Sequence, residues 1–116
     1  MNKIYDGIIK DACLVSFTDA PEHHKNLRLL CGSVIEDKFQ RFRSGDAFRS
    51  SPVIEVDGNN VRTANSLYQV KGPLDHIELP WSHLEAVLRL MHPREIKGFV
   101  DEGFTQILIQ AETKKE

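Results

Sequence analysis

The feature that most constrains the fold is a β-hairpin pattern over residues 47–72. The β-branched run at residues 53–56 leads into Asp-Gly-Asn-Asn at residues 57–60, and the second arm continues through residues 61–70. Aspartate, glycine and asparagine tolerate the positive φ angles of a tight turn. Pro52 lacks the N–H that a central strand uses, so the first arm is predicted to be an edge strand or to be bulged.

The sequence before this hairpin also favours strands. Residues 12–18 and 27–35 are apolar runs rich in β-branched or bulky side chains, and Gly32 marks a bulge within the second run. Residues 39–43 alternate between apolar and polar types, which predicts a short strand. After Gly72 the pattern changes from strand-like to helix-like.

Two short helices are predicted in the second half of the chain. Ser82 and Glu85 have the spacing of a capping box, which would begin the first helix. Pro93 is placed to be the first residue of the second helix, and Gly103 is placed to cap its end. Residues 105–111 favour a final strand, with a helical continuation as the alternative.

The combined patterns predict a single α+β domain over residues 1–116. Of the 116 residues, 41% are hydrophobic and 28% are charged, which is typical of a globular chain rather than a disordered one. An amphipathic sheet and amphipathic helices each need a partner to cover their apolar faces. We therefore expect a small bent antiparallel sheet or partial barrel, with two C-terminal helices packed on it.

Overall charge and hydropathy give no support for a nucleic-acid or a membrane partner. The chain has 15 basic and 17 acidic residues, so no overall positive charge points to nucleic acid. A membrane-spanning helix needs about 20 apolar residues in succession, and the apolar runs here are far shorter. The sequence that follows Met1 lacks the apolar stretch that a signal peptide requires. We therefore expect a cytoplasmic location and no membrane partner.

The two cysteines, Cys13 and Cys31, both lie in apolar runs. In a cytoplasmic protein this setting indicates two buried, reduced thiols. A disulfide between them would require the two runs to be neighbouring strands in the right register.

No motif in the sequence indicates catalysis, a cofactor or a metal. The five histidines lack the tight spacing of metal ligands, and no glycine-rich phosphate loop or nucleophile elbow is present. A non-catalytic protein is therefore favoured. A small-ligand site or small enzyme built from His23, His24 and arginines is an open alternative.

A cluster of polar residues along the hairpin is the predicted protein-binding surface. Tyrosine and arginine are enriched where protein interfaces concentrate their energy, and asparagine and serine add donors and acceptors. The residues assigned to this surface are Arg49, Arg62, Asn65, Ser66 and Tyr68. Arg49 is included because residues 50–52 are expected to lie across the hairpin from the second arm.

A basic segment supports an alternative function in nucleic-acid binding. Cations beside exposed aromatic rings can hold a phosphate backbone and stack bases. The basic residues are Lys38, Arg41, Arg43 and Arg49, and the interleaved aromatics are Phe39, Phe42 and Phe48. The opposing interpretation is that the phenylalanines are core residues and the cations a solvated face.

Two segments of the hairpin resemble a pattern found in small uncharacterised proteins of bacteriophages and prophages. The segments are Gly-Asp-Ala-Phe-Arg-Ser-Ser-Pro-Val at residues 45–53 and Val-Arg-Thr-Ala-Asn-Ser-Leu-Tyr-Gln-Val at residues 61–70. The resemblance implies a bacterial or phage setting and a small accessory protein, and it carries no catalytic role. The expected function is non-catalytic binding of a host or phage protein, in counter-defence or regulation, with homo-oligomerisation through the edge strand left open.

Overall fold

The computed structural model describes residues 4–102 as one sheet with two helices, which confirms the predicted α+β class. Two 3-10 turns, at Glu22–His24 and Trp81–His83, connect some of the elements. The strands are β1 (Gly7–Thr18), β2 (Leu29–Asp37), β3 (Ala47–Arg49), β4 (Val53–Asp57), β5 (Asn60–Thr63), β6 (Leu67–Val70) and β7 (Leu74–Pro80), and the helices are α1 (Leu84–Leu88) and α2 (Pro93–Asp101).

The sheet is mixed and open rather than purely antiparallel as predicted. Its strands follow the order β3-β2-β1-β6-β5-β4, and β7 also pairs with β1. Strand β1 is antiparallel to β2 but parallel to β6 and β7. Because β1 is long, β6 and β7 lie one after the other along the same edge of it: Gly7 pairs with Tyr68, and Thr18 pairs with Pro80.

A β-bulge interrupts β1 opposite Gly32. Lys10 pairs with Ser33 and Cys13 with Cys31, so two residues of β1 stand opposite the single Gly32. Asp11, within the bulge, has a φ of 52°. The sequence predicts a bulge at Gly32. In the structure the extra residue belongs to β1, opposite Gly32.

The central strand is buried on both faces, so the protein has two apolar clusters. On one face Ala12 and Leu14 pack with residues of β2 through β6. On the other face Val15 and Phe17 pack with Leu79 of β7 and with the helices. A strand that is buried on both faces has an uninterrupted apolar sequence, and residues 12–15 of β1 show this pattern.

The predicted hairpin is confirmed at its turn, and its second arm needs a correction. Asp57 pairs with Asn60, and the turn between them has Gly58 at a φ of 61°. Strand β4 ends the strand order, as Pro52 predicted for an edge. The second arm is not one strand, because residues 64–66 turn the chain and pair β5 with β6.

Two other segment predictions are wrong. Residues 39–43 form a loop rather than a strand. Residues 74–80 form β7, where the sequence after Gly72 was expected to be helical. The parallel partner of β7 is β1, which lies far away in the sequence, so the local pattern does not reveal the pairing.

The helices begin differently from one another. The expected capping box is wrong: a 3-10 turn precedes α1, and the Ser82 hydroxyl lies 3.2 Å from Nδ1 of His83. The start of α2 at Pro93 is confirmed, and Nδ1 of His92 caps it by accepting a hydrogen bond from the Arg94 amide at 3.1 Å. Gly103 and residues 105–111 lie outside the described residues.

The two cysteines lie opposite each other within the sheet. Cys13 and Cys31 are both buried, and neither forms a disulfide. Within residues 4–102, no helix is long and apolar enough to cross a membrane.

Candidate functional site

The loop between β2 and β3 presents two aromatic rings to solvent. We call residues 38–46 the aromatic loop. Phe39 is 58% exposed and Phe42 is 37% exposed. A single exposed apolar residue is ordinary on a protein surface, whereas two neighbouring exposed aromatic rings on one loop form an apolar patch. The third phenylalanine of the segment, Phe48, is buried in the core.

One buried carboxylate fixes the shape of this loop. Asp37, the last residue of β2, accepts hydrogen bonds from the backbone amides of Arg41 at 2.5 Å and Phe42 at 3.3 Å. It also accepts two from the Arg41 guanidinium, at 3.1 Å from Nε and 2.8 Å from Nη2. A carboxylate that satisfies backbone donors and a bidentate arginine together holds the loop in one conformation.

The same contacts shift the acid–base equilibrium of Asp37. Hydrogen bonds from the Arg41 guanidinium lower the pKa of Asp37, and the backbone amide bonds add to this against the opposing effect of burial. Asp37 raises the pKa of Arg41 in turn. Both groups are therefore charged across the whole neutral range.

The depressed pKa of Asp37 predicts a stability loss in acid. The folded pKa lies below the unfolded value of about 3.9, so the stabilisation from Asp37 is complete above about pH 5. That contribution is lost as the pH falls through the folded pKa. Urea unfolding of the wild type and of Asp37→Asn should show a stability gap near neutral pH that narrows towards about pH 3. A gap of constant size would contradict the assignment, since other carboxyl groups titrate equally in both proteins.

The Arg41 guanidinium lies between the two exposed rings. Its Cζ is 5.2 Å from the ring centroid of Phe39 and 5.7 Å from that of Phe42. Nζ of Lys38 lies 5.6 Å from the Phe39 ring. These distances are within the range of cation–π contacts. Rings and cations therefore form one continuous patch.

The two segments singled out in the sequence meet beneath this patch. The Phe42 ring packs edge-on against Phe48 at 5.7 Å, and Phe48 packs against Tyr68 at 5.0 Å. Tyr68 is buried, so it supports the aromatic loop from the core and is not part of an accessible surface.

Three other residues of the predicted protein-binding surface lie at the β5–β6 end of the sheet. Nε of Arg62 is 3.7 Å from a carboxylate oxygen of Glu55 on the neighbouring strand. Asn65 is exposed and Ser66 is half-buried in the turn between β5 and β6. The Ser66 carbonyl accepts a hydrogen bond from the Thr63 amide at 2.9 Å, which is an ordinary role in closing a turn.

Arg49 lies on β3, away from Arg62 in the strand order. It stands opposite Cys31, and its Nη1 donates to the Ser50 carbonyl at 3.4 Å. Strands β2, β1 and β6 separate β3 from β5. Arg49 therefore belongs to a different strand pair from Arg62, Asn65 and Ser66, and the predicted protein-binding surface is divided between two parts of the sheet.

Of the basic residues predicted for nucleic-acid binding, Arg41 is the one whose side-chain charge is paired with a carboxylate among the contacts of the described residues. Arg41 is paired with Asp37, and Asp46 accepts a hydrogen bond from the Arg43 amide at 2.8 Å. The side chains of Lys38 and Arg43 are exposed. A carboxylate thus accompanies the cations at each end of the aromatic loop.

Sequence reasoning missed Asp37 as the organising residue. The available signal was an aspartate at the end of an apolar run, followed four positions later by an arginine. Within residues 4–102 no group of three or more histidine, cysteine or acidic side chains is arranged to hold a metal ion. Comparison of the chain with protein-family models, curated proteins and solved structures finds no match.

Proposed function

We propose that this protein is a non-catalytic binding protein that holds a protein partner through the aromatic loop. The observation that supports it is the exposure of Phe39 and Phe42 on a loop that Asp37 fixes. Aromatic residues, phenylalanine included, and arginine are enriched at protein interfaces, where a few buried anchors dominate the binding energy. A loop held in its binding conformation before contact loses little entropy when the partner docks.

The chemistry of the patch defines the kind of partner. The Phe39 ring requires an apolar pocket, and Lys38 and Arg43 favour carboxylates around its rim. The guanidinium of Arg41 is already paired, so it contributes its flat face more than a free charge. The partner is therefore a folded protein with an acidic-rimmed apolar pocket. We place it in a bacterial host or its phage, on the strength of the hairpin resemblance.

Replacing Phe39 with alanine is expected to abolish partner capture without unfolding the protein. Loss of an interface anchor costs about 2 kcal/mol or more, which weakens binding about 30-fold. Tagged wild type and variant would be used to capture proteins from bacterial lysate, with and without nuclease, followed by mass spectrometry. The expected result is a stoichiometric protein that survives nuclease and is lost with Phe39→Ala.

Ile54 offers a matched control for this experiment. It is 60% exposed on β4, outside the aromatic loop. Ile54→Ala should retain the captured protein. Capture that is equally weakened by both substitutions, or by neither, would contradict the assignment of the aromatic loop.

A nucleic-acid function is the second candidate, because Lys38 and Arg41 lie against the exposed Phe39 ring. Cations around an exposed ring are also suited to a base and its phosphate. This candidate predicts binding of single-stranded oligonucleotides that weakens steeply with salt. Captured protein that disappears after nuclease treatment would favour it over the protein partner.

A further inference from the structure

The two cysteines stand directly opposite each other in the sheet. Cys13 on β1 is the register partner of Cys31 on β2, and the two strands are antiparallel. Directly opposite residues in such a pair have Cα atoms about 4.5–5.5 Å apart. Disulfides form at Cα separations of about 4.4–6.8 Å. The pair meets the distance requirement, and both thiols are free.

Among the described cavities, the one that reaches a cysteine is lined by Cys31. Cys13 is completely buried, whereas Cys31 lines an open cavity of about 200 Å³ between β2, β3 and the α1–α2 turn. The other lining residues are largely apolar and include Gly32, Ala47, Phe48, Val87 and Met91. A small oxidant that enters this cavity reaches Cys31 first.

We propose that Cys13 and Cys31 are a redox modification site, which a peroxide converts into a reversible intramolecular disulfide. The Cys31 thiolate attacks a peroxide oxygen, the O–O bond breaks, and the departing hydroxide takes up the proton released by the thiol. The product is a sulfenic acid on Cys31. The Cys13 sulfur then attacks this sulfur, the S–O bond breaks, and water leaves with the Cys13 proton. In sum, two thiols and hydrogen peroxide give one disulfide and two waters.

The surroundings of Cys31 make this reaction slow at neutral pH. Burial, together with the neighbouring Cys13, raises the pKa of Cys31 to about 12, although Arg49 opposes the shift. The attacking species is the thiolate, so its fraction and the oxidation rate should rise about tenfold per pH unit through the neutral and mildly alkaline range. Oxidation at neutral pH is therefore slow, and the disulfide accumulates only under sustained exposure to peroxide.

Mass spectrometry of the peroxide-treated folded protein tests the proposal. After treatment the sample is unfolded in denaturant and alkylated with a maleimide. The expected product has lost two hydrogens and takes no maleimide, whereas untreated protein takes two. Peptide mapping should link Cys13 to Cys31, and dithiothreitol should restore both thiols.

Two serine variants separate the roles of the cysteines. Cys13→Ser should leave Cys31 to proceed to the sulfinic acid, a gain of two oxygens, because no second thiol is available. Cys31→Ser should protect Cys13 from oxidation. The proposal is overturned if wild type keeps both thiols under conditions that fully oxidise the urea-unfolded chain, or if the disulfide joins two chains. The wild-type measurements decide this even if a variant does not fold.

Discussion

Gly32→Ala is expected to cause the largest loss of stability of any single methyl addition in the sheet. A Cβ at this position would lie 2.6 Å from the Lys10 carbonyl oxygen and 2.7 Å from Cγ2 of Ile9. The carbonyl belongs to the backbone of the central strand, so it cannot move aside without separating β1 from β2. We expect a loss of about 3 kcal/mol or more in the free energy of unfolding, measured by urea denaturation.

Gly98→Ala provides the matched control for this substitution. Gly98 lies in α2, and an added Cβ would meet no atom within 4 Å. Because glycine is a poor helix former, alanine here should stabilise the protein by about 0.5–1 kcal/mol. If both variants unfold at the wild-type urea concentration, the close approach at Gly32 does not govern the packing of β1 on β2.

Asp37→Ala is expected to release the aromatic loop and destabilise the protein by about 2–3 kcal/mol. The substitution removes the acceptor for the Arg41 and Phe42 amides and the partner of the Arg41 guanidinium. Urea denaturation measures the stability loss, and hydrogen exchange at residues 38–46 measures the release of the loop. The affinity for the captured protein should fall in parallel, because the two rings are no longer held in place.

Asp46→Ala tests whether the loss of any aspartate at an end of the aromatic loop would have this effect. Asp46 is exposed and accepts one backbone hydrogen bond, from Arg43. Its loss should cost about 1 kcal/mol or less, because water can replace the acceptor. An equal loss of stability from both variants would mean that the burial of Asp37 is unimportant.

The sequence was informative wherever a short-range rule decides the structure. The turn at Gly58 follows from residues that tolerate positive φ, and the start of α2 follows from the fixed φ of Pro93. Strand β7 was missed because its existence depends on β1, whose free edge accepts it in parallel. The local pattern of residues 74–80 does not reveal a pairing partner that lies so far away in the sequence.

The candidate site was only half visible in the sequence for the same reason. The basic and aromatic composition of residues 38–49 was recognised, but the pattern could not separate exposed Phe39 from buried Phe48. That separation depends on where the loop ends and β3 begins. Tyr68 was assigned to a surface because its neighbours in sequence are polar, yet β6 places it under the loop against Phe48.

The arrangement of β6 and β7 along one edge of β1 has a consequence for folding during synthesis. Strand β1 lies early in the chain, while the two strands that cover its second edge are made much later. Until β6 and β7 have been synthesised, one edge of β1 therefore has no partner strand. The contacts of β1 with these strands join residues that lie far apart in the sequence. Such topologies fold slowly and expose backbone that other chains can pair with. The yield of folded protein in cells should thus depend on the time between translation of β1 and of β7, as well as on the stability of the finished fold.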